Sequence, residues 1–335
     1  MSEPTLVLMT VDTEEAWDWD GPFPTSRYCV EHVARLPDFQ AICERHGIRP
    51  TYFANYAVMS DPGARDTMLG LARRAGVEVG MHIHPWNTPP LDLDAEVVPR
   101  DTYLHTRPAA EARAKLDSTY SAFLDAGLRP RSFRGGRYST GGAIHEFLRS
   151  NGFVADCSIV PYTRWADDGA PDFSREGVLP RRIAPSRTGA DALWEIPQSA
   201  GFTRAPFALW ARLHSLVEHA GLGRLRLIGI ADRLGLVRRV WLNFEIGGDA
   251  DWIGFMKRLR CMHVPVVTMT VHSSSLFAGP GPYTRDAQDE RRIAERIERI
   301  FEAIGQLDGF VPATVAEAAE HLERAHAGHV AQRAV

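Results

Sequence analysis

The sequence predicts an α/β protein with a parallel sheet, and two patterns support this prediction. Short apolar, β-branched runs alternate with amphipathic helical patterns along most of the chain. Parallel neighbours need crossover connections, which are usually helices, so this alternation favours a parallel sheet. Polar residues follow several of the apolar runs, where α/β sheets and (β/α) barrels place their chemistry. The 335 residues, 44% of them apolar, suffice for one large domain with insertions or for two smaller domains.

Composition narrows the classes of function. The net charge of −4 leaves no basic footprint, so we expect no nucleic-acid partner. The first apolar run is too short for a signal peptide or a membrane span, and we expect a cytoplasmic protein. The cysteines are scattered without a CxxC pair, which argues against a thiolate zinc site and a disulfide framework. We interpret all four as small buried residues, namely Cys29, Cys43, Cys157 and Cys261.

The elements follow from hydrophobic periodicity and from helix-stop signals. The predicted strands are residues 6–11, 51–53, 78–82, 132–134, 153–157, 193–196 and 264–271. The predicted helices are residues 36–46, 109–126, 143–150 and 207–219, with another beginning at Pro62 and a last one carrying Ile293 to Ile304. Residues 161–191 are predicted to be a loop. Residues 223–239 mix arginine with leucine, which favours a core helix over a partner surface or a membrane-surface helix.

The first strand and the third end in paired polar side chains. The first strand breaks into Asp12 and Glu14, at positions i and i+2, and the third ends in His82 and His84 at the same spacing. Side chains two residues apart leave a strand on the same side. In a parallel barrel all strand carboxyl ends face one mouth, so these side chains should converge there. The other polar residues at predicted strand ends are Arg134, Asp156 and His272.

Such a set of residues can perform metal-assisted hydrolysis. Two histidines and one carboxylate form an open three-ligand site for zinc or a similar divalent ion, which lowers the pKa of bound water towards about 7. A second carboxylate can accept a proton from that water, and a further histidine can protonate a leaving group. A neighbouring arginine would keep the accepting carboxylate ionised and oriented.

The motifs that contain these residues resemble a known family. In order along the chain they read TVDTE, MHIHPW, FRGGRYS, GFVADCSIVP, LWEIP and VTMTVHSSS. Together they resemble the polysaccharide deacetylase (NodB-homology) superfamily, carbohydrate esterase family 4. The resemblance implies one distorted (β/α)7-type barrel over residues 1–335, with an insertion around residues 161–250. It also implies metal-dependent hydrolysis of an acetamido group on a sugar, with one divalent ion, which we expect to be zinc.

Site roles can be carried over by matching motif positions. Asp12 matches the family's catalytic base, and His272 matches its catalytic acid. His82 matches the first metal-binding histidine, and Arg134 matches the arginine that braces the base.

The chain departs from the family pattern at two of the metal positions. Thr13 stands where the family has its metal-binding aspartate, and Glu14 is the natural substitute because it returns to the face of Asp12. Trp86 occupies the position of the second metal histidine, for which His84 is the candidate replacement. The third motif also lacks its usual proline.

Three aromatic residues are candidate substrate contacts, namely Trp17, Trp86 and Tyr138. Aromatic faces stack on sugars, although half-buried packing would explain the same residues. We therefore expect a metal-dependent hydrolase that removes an N-acetyl or other acyl group from a sugar or glycan precursor. The alternatives are a deformylase or amidase acting on a lipid-linked or non-glycan amide, and a glycan-binding barrel without catalysis.

Overall fold

The computed structural model describes residues 3–94, 96–183, 192–219, 237–246 and 248–333. The strands are β1 Thr5–Thr13, β2 Pro50–Ala54, β3 Glu78–Ile83, β4 Ser132–Gly135, β5 Ala155–Asp156, β6 Arg181–Ile183, β7 Leu193–Glu195, β8 Ala200–Phe202, β9 Arg239–Trp241, β10 Val266–His272 and β11 Phe310–Pro312. The helices are α1 Leu36–Arg45, α2 Tyr56–Ser60, α3 Pro62–Ala72, α4 Ala109–Asp125, α5 Gly142–Ser150, α6 Phe207–His219, α7 Trp252–Cys261, α8 Ala287–Gly305 and α9 Val315–Arg333. None of the helices within these ranges is long and apolar enough to cross a membrane.

The main sheet is parallel except at one edge. Its strands follow the order β10-β1-β2-β3-β4-β5-β7-β6, and β11 pairs with the first residues of β1. Only the edge strand β6 pairs antiparallel in this sheet, while β8 and β9 form a separate antiparallel pair. The carboxyl ends of β1 to β5, β7 and β10 therefore share one edge of the sheet.

The sheet curls towards closure through the segments around the β8–β9 pair. The amide of Ser199 donates to the carbonyl of Thr268 in β10, and the amide of Gln198 donates to the carbonyl of Ile159 beyond β5. On the same side, the amide of Thr270 donates to the carbonyl of Leu242 at 2.9 Å. These bonds link β10 to the far end of the sheet. The predicted distorted (β/α) barrel is confirmed.

Strand β1 shows how the sequence supplies both a core and a site. All nine of its residues are buried. Val7, Met9 and Val11 belong to the large apolar cluster that includes the helices, whereas Leu6 and Leu8 belong to a second cluster with β10 and α9. Because alternate side chains point to opposite faces, Asp12 continues the face of Leu6 and Leu8. That face is apolar at the amino end of the strand and acidic at the carboxyl end.

Several element boundaries differ from those predicted. The strand predicted at residues 153–157 is only Ala155–Asp156, and the predicted loop at 161–191 contains the edge strand β6. Helix α9 follows the amphipathic helix that we expected to be the last one. Its alanine-rich sequence carries a weak periodic signal, and the helix is held by packing Val315, Ala318 and Ala319 against the strands. Most of residues 223–239 lies outside the described residues.

The prediction that all four cysteines are buried is wrong for two of them. Cys43 and Cys157 are buried, but Cys29 and Cys261 are exposed. Cys29 lies in the long loop after β1, and Cys261 is the last residue of α7. Neither position belongs to an apolar face, so a small apolar residue there gains nothing from burial.

Candidate metal centre and active-site cavity

A cavity of about 370 Å³ opens at the carboxyl edge of the sheet. The polar residues predicted at the ends of β1, β3 and β10 all line it, namely Asp12, Glu14, His82, His84 and His272. These residues come from sequence positions up to 260 apart, and the parallel strands bring them together. The convergence expected from the strand ends is therefore present in the structure.

Three of these side chains point their ligand atoms at one another. Glu14 Oε2 lies 3.1 Å from His82 Nε2 and 3.0 Å from His84 Nε2, and the two Nε2 atoms are 3.0 Å apart. A zinc ion bound at about 2.0–2.2 Å to nitrogen and carboxylate oxygen can contact three donors with such separations at once. All three residues are buried. The Glu14, His82 and His84 cluster can hold one metal ion, and its donor set suits zinc.

Hydrogen bonds at the far side of each imidazole orient the two histidines. His82 Nδ1 donates to the carbonyl oxygen of Arg134 at 2.7 Å, and His84 Nδ1 donates to Glu15 Oε1 at 2.9 Å. These bonds direct both Nε2 atoms towards Glu14. Carbonyl or carboxylate partners of this kind are the usual support of metal-binding histidines.

Glu15 is a functional candidate that sequence reasoning missed. Strand alternation assigns it to the face opposite Glu14, but β1 ends at Thr13, so the alternation stops before Glu15. Its carboxylate also accepts hydrogen bonds from Asn55 Nδ2 at 2.6 Å and from Trp86 Nε1 at 3.2 Å. The acidic run Asp12, Glu14, Glu15 was the available signal.

Trp86 supports His84 directly. The two rings stack with centroids 4.0 Å apart, and Trp86 is only 5% exposed. Gly136 also packs closely on His84, since a Cβ added to it would lie 2.5 Å from His84 Cδ2 and 2.3 Å from the carbonyl oxygen of Ile83. A glycine is therefore required there. The tryptophan at the position expected for the second metal histidine packs against His84, the candidate replacement.

The charges of this cluster depend on one another. Burial alone would raise the pKa of Glu14, but the charges of His84 and His272 and hydrogen bonds from His82 and His84 hold the pKa well below its ordinary value. For His84, burial alone would lower the pKa, but the carboxylates of Glu15 and Glu14 outweigh burial and raise the pKa to about 10. Without metal, His84 is therefore an imidazolium held between two carboxylates.

Metal uptake should consequently release a proton from His84. Its Nε2 must be deprotonated to bind zinc, and its pKa of about 10 means that it carries that proton at pH 7.5. We expect Glu15→Gln to release fewer protons per zinc than wild type, because it lacks the largest of the charges that retain the proton. Calorimetric titrations in two buffers of different ionisation enthalpy measure the difference. Equal proton release from the two proteins would contradict this assignment.

Asp12 and Arg134 form a buried pair beside the cluster. Arg134 Nη1 donates to Asp12 Oδ1 at 2.6 Å. The guanidinium also donates to the hydroxyls of Thr10 and Thr270 and lies 4.7 Å from the ring centroid of Phe53. Arg134 is fully buried and Asp12 is 3% exposed. The carboxylate is thus held at one oxygen, and its Oδ2 lies on the side of His272.

His272 faces the same space from β10. Its Nε2 lies 3.9 Å from both Asp12 Oδ2 and Glu14 Oε1. Its Nδ1 donates to Glu245 Oε2 at 2.7 Å, and its backbone amide donates to Glu245 Oε1. Burial alone would lower the pKa of His272, but Glu245, Glu14 and Asp12 outweigh it and raise the pKa to about 10. The ring is therefore a proton donor at neutral pH.

Glu245 is the second functional candidate that sequence reasoning missed. Its carboxylate is 1% exposed and lines the cavity, four residues after the end of β9. No strand was predicted at residues 239–241, so nothing marked residue 245 as lying at the mouth of a barrel. The available signal was an acidic residue directly after the apolar run VWLNF.

The pKa of His272 should depend on the charge of Glu245. We expect Glu245→Gln to lower this pKa from about 10, because Glu245 is the largest of the charges that counteract the effect of burial. Glu245→Asp keeps the charge and is the matched control. An NMR titration of the metal-free protein measures the pKa, and the alkaline limb of any pH–rate profile should move to lower pH. An unchanged pKa in Glu245→Gln would show that another group holds the proton.

The remaining predicted residues divide into two groups. Trp17 and Tyr138 line the cavity, as Trp86 does. Asp156 lies outside it, where its carboxylate accepts hydrogen bonds from Thr140 and Ser158. The Ser158 hydroxyl in turn accepts a bond from the amide of Gly135 at 2.9 Å, which supports the turn after β4.

Comparisons with known proteins identify the fold. No family model matches the chain, and no curated protein matches it. A solved structure of a protein from Mycobacterium smegmatis, assigned as a polysaccharide deacetylase, is 14% identical with a TM-score of 0.53, over 97% of this chain and 92% of its own. A similarly assigned protein from Pseudomonas aeruginosa PAO1 is 13% identical with a TM-score of 0.54, over 96% of this chain and 92% of its own. PuuE allantoinase is 12% identical with a TM-score of 0.56, over 96% of this chain and 92% of its own. The chain therefore shares its fold with these three solved structures.

Proposed function

We propose that this protein is a metal-dependent hydrolase that removes an acyl group from an N-acylated amino sugar. One observation supports the proposal above all. The cluster of Glu14, His82 and His84 shares its cavity with a carboxylate held by an arginine and an imidazole held by a carboxylate. A hydrolytic site needs a metal-ligand set, a proton acceptor and a proton donor, and these groups supply all three.

Each residue has a role that follows from its position. Zinc held by Glu14, His82 and His84 would polarise the acyl carbonyl and lower the pKa of bound water. Asp12 accepts the proton of the attacking water at Oδ2, because Arg134 occupies Oδ1 at 2.6 Å. Arg134 is a positioning residue, since it is fully buried beneath that carboxylate.

His272 donates a proton to the nitrogen of the leaving amine. Its imidazolium lies beside Asp12 and Glu14, so a leaving amine between them and the ring is within reach of Nε2. Protonation converts the amine into a good leaving group, and the carbon–nitrogen bond breaks. Glu245 keeps the ring protonated and oriented for this step.

Aromatic walls support a sugar as the substrate. Five of the eight tryptophans of the chain line the cavity, namely Trp17, Trp19, Trp86, Trp165 and Trp241. Indole faces stack on the apolar faces of sugar rings, while the polar edges of a sugar need donors and acceptors of the kind that Arg137 and Asn243 offer here. Two of the fold relatives are assigned as polysaccharide deacetylases, which agrees with this choice.

The test is release of amine and carboxylic acid from N-acetylated sugars by purified protein. We expect equal amounts of both products, loss of activity with a chelator, and recovery with about one equivalent of zinc. Allantoin is the comparison substrate, since one fold relative is named an allantoinase. Sugar binding without amine release across several divalent metals would contradict the proposal and favour a glycan-binding barrel. Hydrolysis of allantoin alone would reassign the substrate.

A further inference from the structure

We infer that the cavity accepts a single sugar unit end-on, such as a monosaccharide or the terminal residue of a short oligosaccharide, and that it excludes the interior of a polymer chain. This inference rests on the proposed function. It comes from a ring of packed side chains, joined by short chain segments, around the mouth of the cavity. We call this ring the collar, and its members are the cavity-lining side chains of residues 17–23, 137–138 and 241–245 together with His272.

The first arc of the collar comes from the loop after β1. Trp19 meets the ring of His272 edge-on, with centroids 5.2 Å apart, and meets Tyr283 in the same manner at 5.5 Å. Two residues earlier, Trp17 packs against Phe23 with centroids 5.0 Å apart. One loop thus covers the side of the cavity between β10 and β3.

The second arc comes from the turn after β4. The guanidinium of Arg137 lies 6.0 Å from the ring of Phe23 and 4.4 Å from the ring of Tyr103. Arg137 also donates to the hydroxyl of Thr102 at 2.7 Å and forms an ion pair with Asp167. This arginine therefore joins the first arc to the loop after β5.

An unusual backbone conformation places this arc. Arg137 and Tyr138 both have positive φ angles, 48° and 64°, which non-glycine residues seldom adopt. The turn is also crowded, since a Cβ on Gly135 would lie 1.9 Å from the carbonyl oxygen of Ser139. Strained conformations of this kind are retained mainly at functional sites. Here they place two consecutive side chains in the wall of the cavity.

The third arc closes the ring. Tyr138 stacks on Trp165 with centroids 5.0 Å apart and contacts Trp241 at 6.0 Å. From Trp241 the chain runs through Asn243 to Glu245, and all three line the cavity. Glu245 binds His272 at 2.7 Å, where the first arc began. Within the described part of the chain, the three arcs therefore form a closed circuit of side-chain contacts and short chain segments in the lining of the cavity that holds the metal cluster.

A closed collar limits how a substrate can enter. An interior unit of a polymer needs an open path on two sides of the reacting group, whereas the described loops that form the collar contact one another around the cavity. The volume of about 370 Å³ is near the lower end of the roughly 300–1,000 Å³ of small-molecule sites. The reacting acyl group must reach the buried Glu14, His82 and His84 cluster at the bottom. One sugar unit inserted end-on meets these conditions.

The position of hydrolysis on an N-acetylglucosamine hexamer tests the inference. We expect zinc-loaded protein to remove an acetyl group only from a terminal unit, as located by fragmentation mass spectrometry. Stopped-flow tryptophan fluorescence should show binding before turnover, with dissociation constants for dimer and hexamer within about threefold of each other. Acetyl loss from interior units, or a tenfold gain in affinity from dimer to hexamer, would overturn the inference.

The two proposals fail in different ways. Binding that does not depend on length, but without amine release, would refute the proposed hydrolysis and leave the end-on cavity intact. A lack of binding by every saccharide would overturn the end-on sugar site itself.

Opening the collar provides a second test. Phe23→Ala removes the ring that joins Trp17 to Arg137, and we expect interior deacetylation of the hexamer to appear. Leu179→Ala is the matched control, since Leu179 is a large apolar residue that is 57% exposed and does not line the cavity. Terminal-only products from Phe23→Ala would show that the collar does not set the product pattern.

Discussion

Replacing His82 with alanine should lower the affinity for zinc by at least about 100-fold and abolish hydrolysis. Losing a partner of a metal-binding histidine already costs about 10–100-fold, and losing the histidine itself should cost more. His82 Nε2 lies 3.1 Å from Glu14 Oε2 and 3.0 Å from His84 Nε2, so its removal leaves two donors. Metal content after dialysis and calorimetric titration measure the loss.

His145→Ala is the matched control for this variant. His145 is likewise a histidine next to a carboxylate, with its Nε2 3.0 Å from Asp156 Oδ2, but it is only partly buried and does not line the cavity. We expect it to bind zinc as wild type does. If His82→Ala retained one tightly bound zinc, the metal assignment would be wrong.

Replacing Arg134 with methionine should destabilise the protein by about 3–5 kcal/mol, the usual cost of leaving one charge of a buried pair alone. The guanidinium is fully buried and donates to Asp12 at 2.6 Å, so its loss leaves a carboxylate uncompensated. Activity should fall by about 10²–10⁴-fold, the usual contribution of a general base, because Asp12 is no longer held in place. Denaturant unfolding and steady-state kinetics give the two values.

A double-mutant cycle separates the pair from simple loss of packing. Asp12→Asn combined with Arg134→Met removes both charges. We therefore expect the double variant to lose clearly less free energy of unfolding than the two single variants lose in sum. Arg182→Met is the matched control, because Arg182 and Glu323 also form an arginine–carboxylate pair, at 3.0 and 3.2 Å, but one that is partly exposed. Arg182→Met should lower the free energy of unfolding by at most about 1 kcal/mol. Strictly additive costs in the cycle would contradict a coupled pair.

Elements with a clear signal in their own residues, such as a helix-start residue or a long apolar run, could be predicted from the sequence. Helix α3 begins at Pro62, as predicted, because proline suits the first turn and Asp61 accepts a bond from the amide of Ala64. Strand β1 was predicted because a long apolar run buried on both faces differs clearly from its surroundings. The short edge strand β6 and the β8–β9 pair were missed, since three-residue strands are held by their neighbours and carry little signal of their own.

The candidate site divides along similar lines. Asp12, Glu14, His82 and His84 could be predicted because each pair follows a strand at a spacing of two, and parallel strands bring their ends together. Glu15 and Glu245 were not predicted. Glu15 lies beyond the end of β1, and Glu245 follows a strand that no pattern marked, so their approach to His84 and His272 depends on loop paths.

The sequence alone determined the parallel α/β class, the strands that end in acid and histidine, and the ligand types suited to a divalent ion. These features depend on periodicity and residue chemistry, which act over a few residues. Only the tertiary structure decided which atoms meet, which carboxylates keep His84 and His272 protonated, and how the loops enclose the cavity. These properties depend on distances of a few ångströms between residues far apart in the chain, because hydrogen bonds and desolvation act only at such range.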